Sequence, residues 1–401
     1  MTKRVVSLAA LGYFIDVLDL FLFSVLRVPS LSGLGVPASR HLSDGVLLLN
    51  SQMLGLLLGC FVWGVLGDRY GRVRVLYGSL LLYSLATLAN GLVGSVGAYA
   101  ACRLLAGFGL AGELGAAITL VSEVLPQKQR GLGTTLVATC GLCGGIAAAA
   151  LAQLCDWRTC YFIGGTAGLV LLSLRIKLYE PKLFAEVRTQ SCPRGSLKQL
   201  LGQGARRLLY LRLIVTGLPI WFVAGILMVF SPEFARSLHV IGPPVTAAQA
   251  VLASYIGAAL GDLLCGLLSQ HLRSRKRAMA LCLVLLGVGI VLYLHAHGVR
   301  TQTYYALCFG VGLCTGYWAV LITAAAESFG TNLRATVATT VPNLVRAGVI
   351  PMTLLFEHLH HSLGPLHAAL LLGVVCLGGA LWSLYHLPET YARSLDFIES
   401  D

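Results

Sequence analysis

The sequence predicts an all-α membrane protein: twelve transmembrane helices in two pseudo-symmetric six-helix bundles. Three observations lead there. The 401 residues are 57% hydrophobic and only 11% charged, whereas soluble domains carry roughly 25% charged residues. The apolar residues gather in stretches of about 20, the length that crosses a bilayer core. One passage also recurs half a chain later. AAITLVSEVLPQKQRGLGTT matches VLITAAAESFGTNLRATVAT when Glu123 is set on Glu327, which brings Arg130 onto Arg334 and Thr119 onto Thr323.

The apolar stretches lie near 5–27, 46–66, 75–96, 98–122, 132–154, 160–179, 209–230, 247–270, 278–296, 302–326, 335–357 and 364–386. The first follows a basic opening, MTKR, but no small-residue cleavage site follows it and two Asp interrupt it. It therefore reads as an uncleaved span rather than a signal peptide. The separators are short apart from 180–208, which is polar and basic. That divides the chain into an N-terminal bundle (1–179), a cytoplasmic linker (180–208) and a C-terminal bundle with a short cytoplasmic tail (209–401). Two similar halves suit alternating access, with a site between them near the midplane.

The net charge of +12 does not imply a nucleic-acid partner, because its distribution is one-sided. With the N-terminus placed in the cytoplasm, most Lys and Arg fall inside. Five lie outside (Arg27, Arg40, Arg158, Arg236, Arg300), and Arg103 and Arg346 fall within spans. This is the positive-inside bias, so both termini are expected in the cytoplasm. The absence of a targeting segment and the compact frame point to a bacterial inner membrane. The twelve Cys are scattered and read as small packing residues. Cys140 and Cys143 form C-x-x-C, but within a predicted helix, a poor zinc or redox setting. Cys155 and Cys160 flank an outer loop, DWRT, and whether they pair is open. His358, His360, His361 and His367 lie near another outer loop and read as solvated. No metal site or cofactor is expected. No nucleophile–base pair or nucleotide motif stands out, so neither an enzyme nor ATP drive is indicated.

Between spans 2 and 3 runs GVLGDRYGRVR, residues 64–74. Gly64 would permit close helix approach, Asp68 can meet a helix N-terminal dipole or a nearby Arg, Gly71 permits a tight turn, and Arg69 and Arg72 stay inside. This strongly resembles the signature loop of the major facilitator superfamily, and the resemblance implies a conformational latch. Glu123, Arg130, Glu327 and Arg334, at the inner helix ends, join that set. Span 1 reads GYFIDVLDLF and span 4 RLLAGFGLAGELGAA. Together they are similar to the metabolite:proton symporter branch, which has an acidic residue, two spacers and Asp in helix 1. In helix 4 that branch has Arg, a Gly-rich run and Gly-Glu-x-Gly. Asp16 and Asp19 fall on the first pair, Arg103 and Glu113 on the second. LPETYARSL also looks like the superfamily's closing motif. The chain departs from the branch in lacking aromatics between the two Asp and in carrying Arg346 in span 11.

A carboxylate at a membrane helix centre costs about 2.5–3.5 kcal/mol on insertion scales, and span 1 holds two. At 1.5 Å rise per residue, Asp16 lies about 16 Å from the inner face and Asp19 about 21 Å. Arg346 falls at about 16 Å and Arg103 at about 22 Å, while Glu113 and Asp262 fall nearer the inner side, at about 8 Å. Two acids and two bases at two matched levels suggest charge compensation in a central cavity. The alternative is a set of fixed salt bridges that only pack helices. Burial disfavours an ionised carboxylate and a neighbouring Arg favours it, so an Asp whose Arg can move away is a workable proton switch. Asp16 is the first candidate for the proton-coupling residue, with Asp19 or Glu113 second. Arg346, and with it Arg103, is the candidate to bind substrate. Tyr13, Trp221, Tyr317, Trp318 and Asn343 are candidate liners. Asp262 could contact a backbone amide or face the cavity.

The expected function is proton-coupled uptake of a small anionic or zwitterionic metabolite by alternating access. The partners are that substrate, protons and the bilayer; no nucleic acid is expected, and the working unit is expected to be a monomer. The alternative is a proton-antiport exporter of a siderophore or drug-like compound. Superfamily antiporters often carry Gly-Pro in helix 5. Here that helix reads CGLCGGIAAAALA, without Pro.

Overall fold

The computed structural model describes residues 2–70, 72–113, 115, 117, 121, 125, 127–175 and 197–391, with backbone alone at 2–5, 67–70, 72, 127–132, 134, 135, 197–199, 331, 332, 334 and 335. The described chain is helical, with one isolated β-bridge between Ile241 and Arg300. The N-terminal half holds α1 (Thr2–Gly33), α2 (His41–Tyr70), α3 (Arg72–Asn90), α4 (Val96–Leu110), α5 (Gln127–Leu154) and α6 (Trp157–Arg175). The C-terminal half holds α7 (Gly204–Phe222), α8 (Ala247–His271), α9 (Arg275–Leu294), α10 (Thr301–Cys314), α11 (Trp318–Ser328), α12 (Thr331–Ala347) and α13 (Val349–Tyr385).

Eight stretches of the described residues are long and apolar enough to span a membrane. One of them, Thr336–Tyr385, contains two expected spans, because Gly364 turns the chain at φ 75°, ψ 167° within α13. Expected span 10 is divided into α10 and α11. Expected span 11 breaks at Gly348 rather than kinking only at its prolines: Pro342 lies within α12 and Pro351 in the first turn of α13. Expected span 7 is α7 continued by a π-helical turn, Val223–Met228.

Packing repeats between the halves. The pairs α2–α4 and α8–α10 each approach through glycine, as small residues allow in membranes. A Cβ at Gly55 would lie 2.0 Å from Leu104 O, and one at Gly107 would lie 2.0 Å from Gln52 O. In the other half a Cβ at Gly257 would lie 2.2 Å from Phe309 O, and one at Gly312 would lie 2.0 Å from Ser254 O. Across the halves, α5 packs on α8 and α2 on α12. At the DWRT loop, Asp156 caps α6, accepting from Thr159 Oγ1 at 2.5 Å and from the amides of Arg158 and Thr159 at 3.0 and 3.2 Å. Those bonds, the Thr159 hydroxyl first, hold its carboxyl below the usual range. Cys155 and Cys160 are free thiols, as are Cys140 and Cys143. Among the described residues, no group of three His, Cys, Asp or Glu is arranged to hold a metal.

Candidate functional site

The two halves meet at a small central chamber of about 40 Å³, lined among others by Tyr13, Phe21, Trp221, Tyr255, Trp318 and Arg346. Phe21 and Tyr255 rings lie 4.4 Å apart, and Phe21 stacks on Trp221 at 5.9 Å. Trp318 Nε1 donates to Tyr13 Oη at 3.0 Å, joining α11 to α1. The chamber has room for a few water molecules. The walls are aromatic and the polar groups few, the usual make-up of a small-molecule site.

The charged residue of its lining is Arg346, on α12; Asp16 of α1 stands beside Arg346 but outside that lining. Asp16 and Arg346 are both buried, and Arg346 Nη2 lies 3.7 Å from Asp16 Oδ2. That is ion-pair distance but not a hydrogen bond, and neither Asp16 oxygen has a hydrogen-bond partner. Arg346 Nη1 reaches Asn343 Oδ1 at 3.4 Å, and the guanidinium lies 5.8 Å over the Trp221 ring. Asn343 also donates to Ala111 O and Thr339 O, both at 2.9 Å, tying α12 to the N-terminal half. The carboxylate is thus held by charge alone, opposite a cation with a nitrogen, Nε, to spare.

Other expected pairings differ. Among the described residues, no ion pair joins Asp19 to Arg103. Asp19 Oδ1 accepts from Thr87 Oγ1 at 2.5 Å instead. Arg103 is buried, with no hydrogen-bond partner for its guanidinium, and lies 5.6 Å over Phe23 and 5.9 Å over Tyr161. Expected at one depth, the two side chains make no ion pair with each other. Glu113 forms a two-pronged pair with Arg175 of α6: Nη1 to Oε2 at 2.9 Å and Nη2 to Oε1 at 2.5 Å. Arg103 and Asn343 are not among the chamber's lining, and neither is Tyr317. Its buried phenol needs an acceptor and finds Thr216 O at 2.9 Å. Asp262 takes the backbone option. Its Oδ1 accepts from Ala319 N at 2.9 Å, at the N-terminus of α11, where a negative charge is favoured.

Of the latch set, Gly71 and Glu123 lie outside the described residues, as do the side chains of Asp68, Arg69, Arg72, Arg130 and Arg334. A Cβ at Gly64 would meet no described atom within 4 Å, and close approach falls to Gly55 and Gly59 instead. Glu327 is described. It pairs with Arg275 at 3.2 Å and accepts from Thr390 Oγ1 at 2.8 Å.

Arg27, read from sequence as an outer loop residue, is fully buried. Its Nη2 donates to Glu233 Oε1 at 2.8 Å and Val229 O at 3.2 Å, its Nη1 to His41 O at 3.1 Å, and it lies 4.8 Å over Phe230. Thr353 Oγ1 donates to Asn50 Oδ1 at 2.8 Å near the same side. Arg27–Glu233 and Thr353–Asn50 join the two halves on the side of the expected outer loops. Tyr255 was legible in part: it lies seven residues before Asp262, on one face of α8. Arg175 and Glu233 carried no signal beyond their charge.

A family model described as the Major Facilitator Superfamily matches residues 9–349. The 3-(3-hydroxy-phenyl)propionate transporter of Escherichia coli is 32% identical over 231 residues, 56% of this chain and 56% of that one. The 4-hydroxybenzoate transporter PcaK of Pseudomonas aeruginosa is 33% identical over 153 residues, 37% of this chain and 34% of that one. The chain thus spans about half the length of the first relative and a third of the second. A solved D-xylose-proton symporter superposes with a TM-score of 0.70 at 16% identity, over 98% of this chain and 99% of that one, a likeness of fold alone. The match over most of its length makes this chain, a multi-pass integral membrane protein, a member of the major facilitator superfamily.

Proposed function

We propose that the chain is a proton-coupled symporter that takes up a small aromatic carboxylate by alternating access. The observation that carries this is the loose pair between Asp16 and Arg346, the latter at the wall of an apolar, partly aromatic chamber between the halves. A guanidinium binds a carboxylate through two parallel hydrogen bonds. Cargo that engages Arg346 takes the counter-charge from Asp16, and Asp16 then accepts a proton. The rings of Phe21, Trp221 and Tyr255 suit a planar cargo. The names of two relatives, a hydroxyphenylpropionate transporter and a hydroxybenzoate transporter, support the same class. On this reading residues 1–179 and 209–401 rock against each other, joined by 180–208. Both termini lie in the cytoplasm of a cell whose inner membrane holds the chain as a working monomer.

The test is uptake into proteoliposomes of 4-hydroxybenzoate, a hydroxyphenylpropionate and their neutral amides, with and without an imposed pH gradient. The acids are expected to accumulate only with the gradient, and the amides not at all. Accumulation that ignores the gradient would remove proton coupling; equal handling of the amides would remove the carboxylate. Exit of cargo against entering protons would favour the exporter. Arg346→Lys keeps the charge but loses the planar fork. It is expected to raise the half-saturation value for an acid about tenfold, the worth of one charge-assisted hydrogen bond. An unaltered value would point to a neutral substrate.

A further inference from the structure

Between α9 and α13 runs an open furrow that the transport site does not use. Its walls are Leu283, Val284, Val288, Leu377 and Leu381, with Gly287 at its floor. A Cβ at Gly287 would lie 3.6 Å from Leu377 Cδ1, so the glycine deepens the furrow. Val284 and Val288 are more than half exposed, and the lining is hydrocarbon.

Helical spacing aligns the furrow with a charged end. On α9, residues 276, 283 and 287 share one face and 277, 284 and 288 the adjacent one. On α13, residues 377, 381 and 385 share a face. Followed to that end, the walls lead to Lys276 and Arg277 on one side and Tyr385 on the other. Lys276 Nζ lies 5.4 Å from the Tyr385 ring and donates to Leu387 O at 3.1 Å. Arg212 of α7 lies 5.8 Å over Trp382 and donates to His386 O at 3.2 Å. Arg277, Trp382 and Tyr385 are exposed, Tyr385 by 75%. The nearby acid, Glu389, is engaged at the N-terminus of α9, accepting from Ser274 Oγ and from Arg275 N at 2.9 Å.

We propose that this furrow retains one diacyl phospholipid with an anionic headgroup. An acyl chain lies along the wall from Leu283 to Val288, and the phosphate sits at Lys276 and Arg277, about 10 Å further on. Exposed Trp and Tyr mark the headgroup level of a bilayer, and basic side chains there attract anionic lipid. Any lipid tail can fill a hydrocarbon furrow, since lipid is as apolar as the wall. The preference therefore comes from the charged end.

The test is native mass spectrometry of the full chain, released from detergent titrated with equal phosphatidylglycerol and phosphatidylethanolamine. One phosphatidylglycerol is expected to be retained in preference. Arg277→Gln, an exposed change that spares the fold, is expected to lower that preference about fivefold, the worth of one basic residue at an anionic surface. Adding Lys276→Gln should bring the loss to about twenty-fivefold. Gly287→Leu fills the furrow and should abolish retention with the charges intact. Equal retention of the two lipids, an unchanged preference in Arg277→Gln, or wild-type retention in Gly287→Leu would each overturn the proposal.

Discussion

Asp16→Asn is expected to reduce gradient-driven accumulation in proteoliposomes to the level of vesicles without protein, while counterflow exchange persists in part. The reason lies in how Asp16 is held. It is buried, accepts no hydrogen bond, and has one cation 3.7 Å away. Leaving a buried charge without its partner costs several kcal/mol. On the proposed mechanism, cargo that draws Arg346 aside shifts that cost to Asp16, where a proton relieves it. Asn has nearly the same shape and is already neutral. It removes the step that ties cargo to the gradient but not the movement itself. Accumulation equal to wild type would eliminate Asp16 as the carrier and turn attention to Asp19, whose Oδ2 is also unpartnered.

Arg175→Met is expected to destabilise the fold by about 3–5 kcal/mol, because it strands the buried carboxylate of Glu113. The readout is loss of the monodisperse peak in size-exclusion chromatography after mild heating. The pair is held tightly. Arg175 makes both bonds to Glu113 and a third to Leu8 O at 3.0 Å. Gly12 leaves the space it fills, since a Cβ there would lie 1.7 Å from Arg175 Nη2 and 2.2 Å from Glu113 Oε1. Replacing both partners, Glu113→Leu with Arg175→Met, should recover most of the stability, as removal of whole buried pairs often does. The double variant also decides a mechanistic question. Gradient-driven accumulation in it would exclude Glu113 as a proton carrier. A single variant as heat-resistant as wild type would show the pair to be dispensable.

How much of this could be read from the chain alone follows from what depth can and cannot say. Rise per residue gives height in the membrane, and on that scale Asp16 and Arg346 match and do meet. Asp19 and Arg103 match equally well and do not. Height says nothing of the direction in which a side chain leaves its helix, and Thr87 stands nearer to Asp19. Arg27 and Arg175 sit at span ends, where a charge normally reaches water. Their burial depends on partners far along the chain, Glu233 and Glu113, brought close by packing between helices. The half-chain repeat was visible because it is a pattern of residue types. Its structural counterpart, the paired glycine contacts of α2–α4 and α8–α10, needs both backbones in place.

The chamber of about 40 Å³ has room for a few waters, and Arg346 at its wall has a counter-charge of the chain's own in Asp16. On the proposed mechanism, Arg346 and Asp16 neutralise each other whenever no cargo is bound. A carrier so balanced can make the homeward trip empty, so each cycle can leave a net gain on one side.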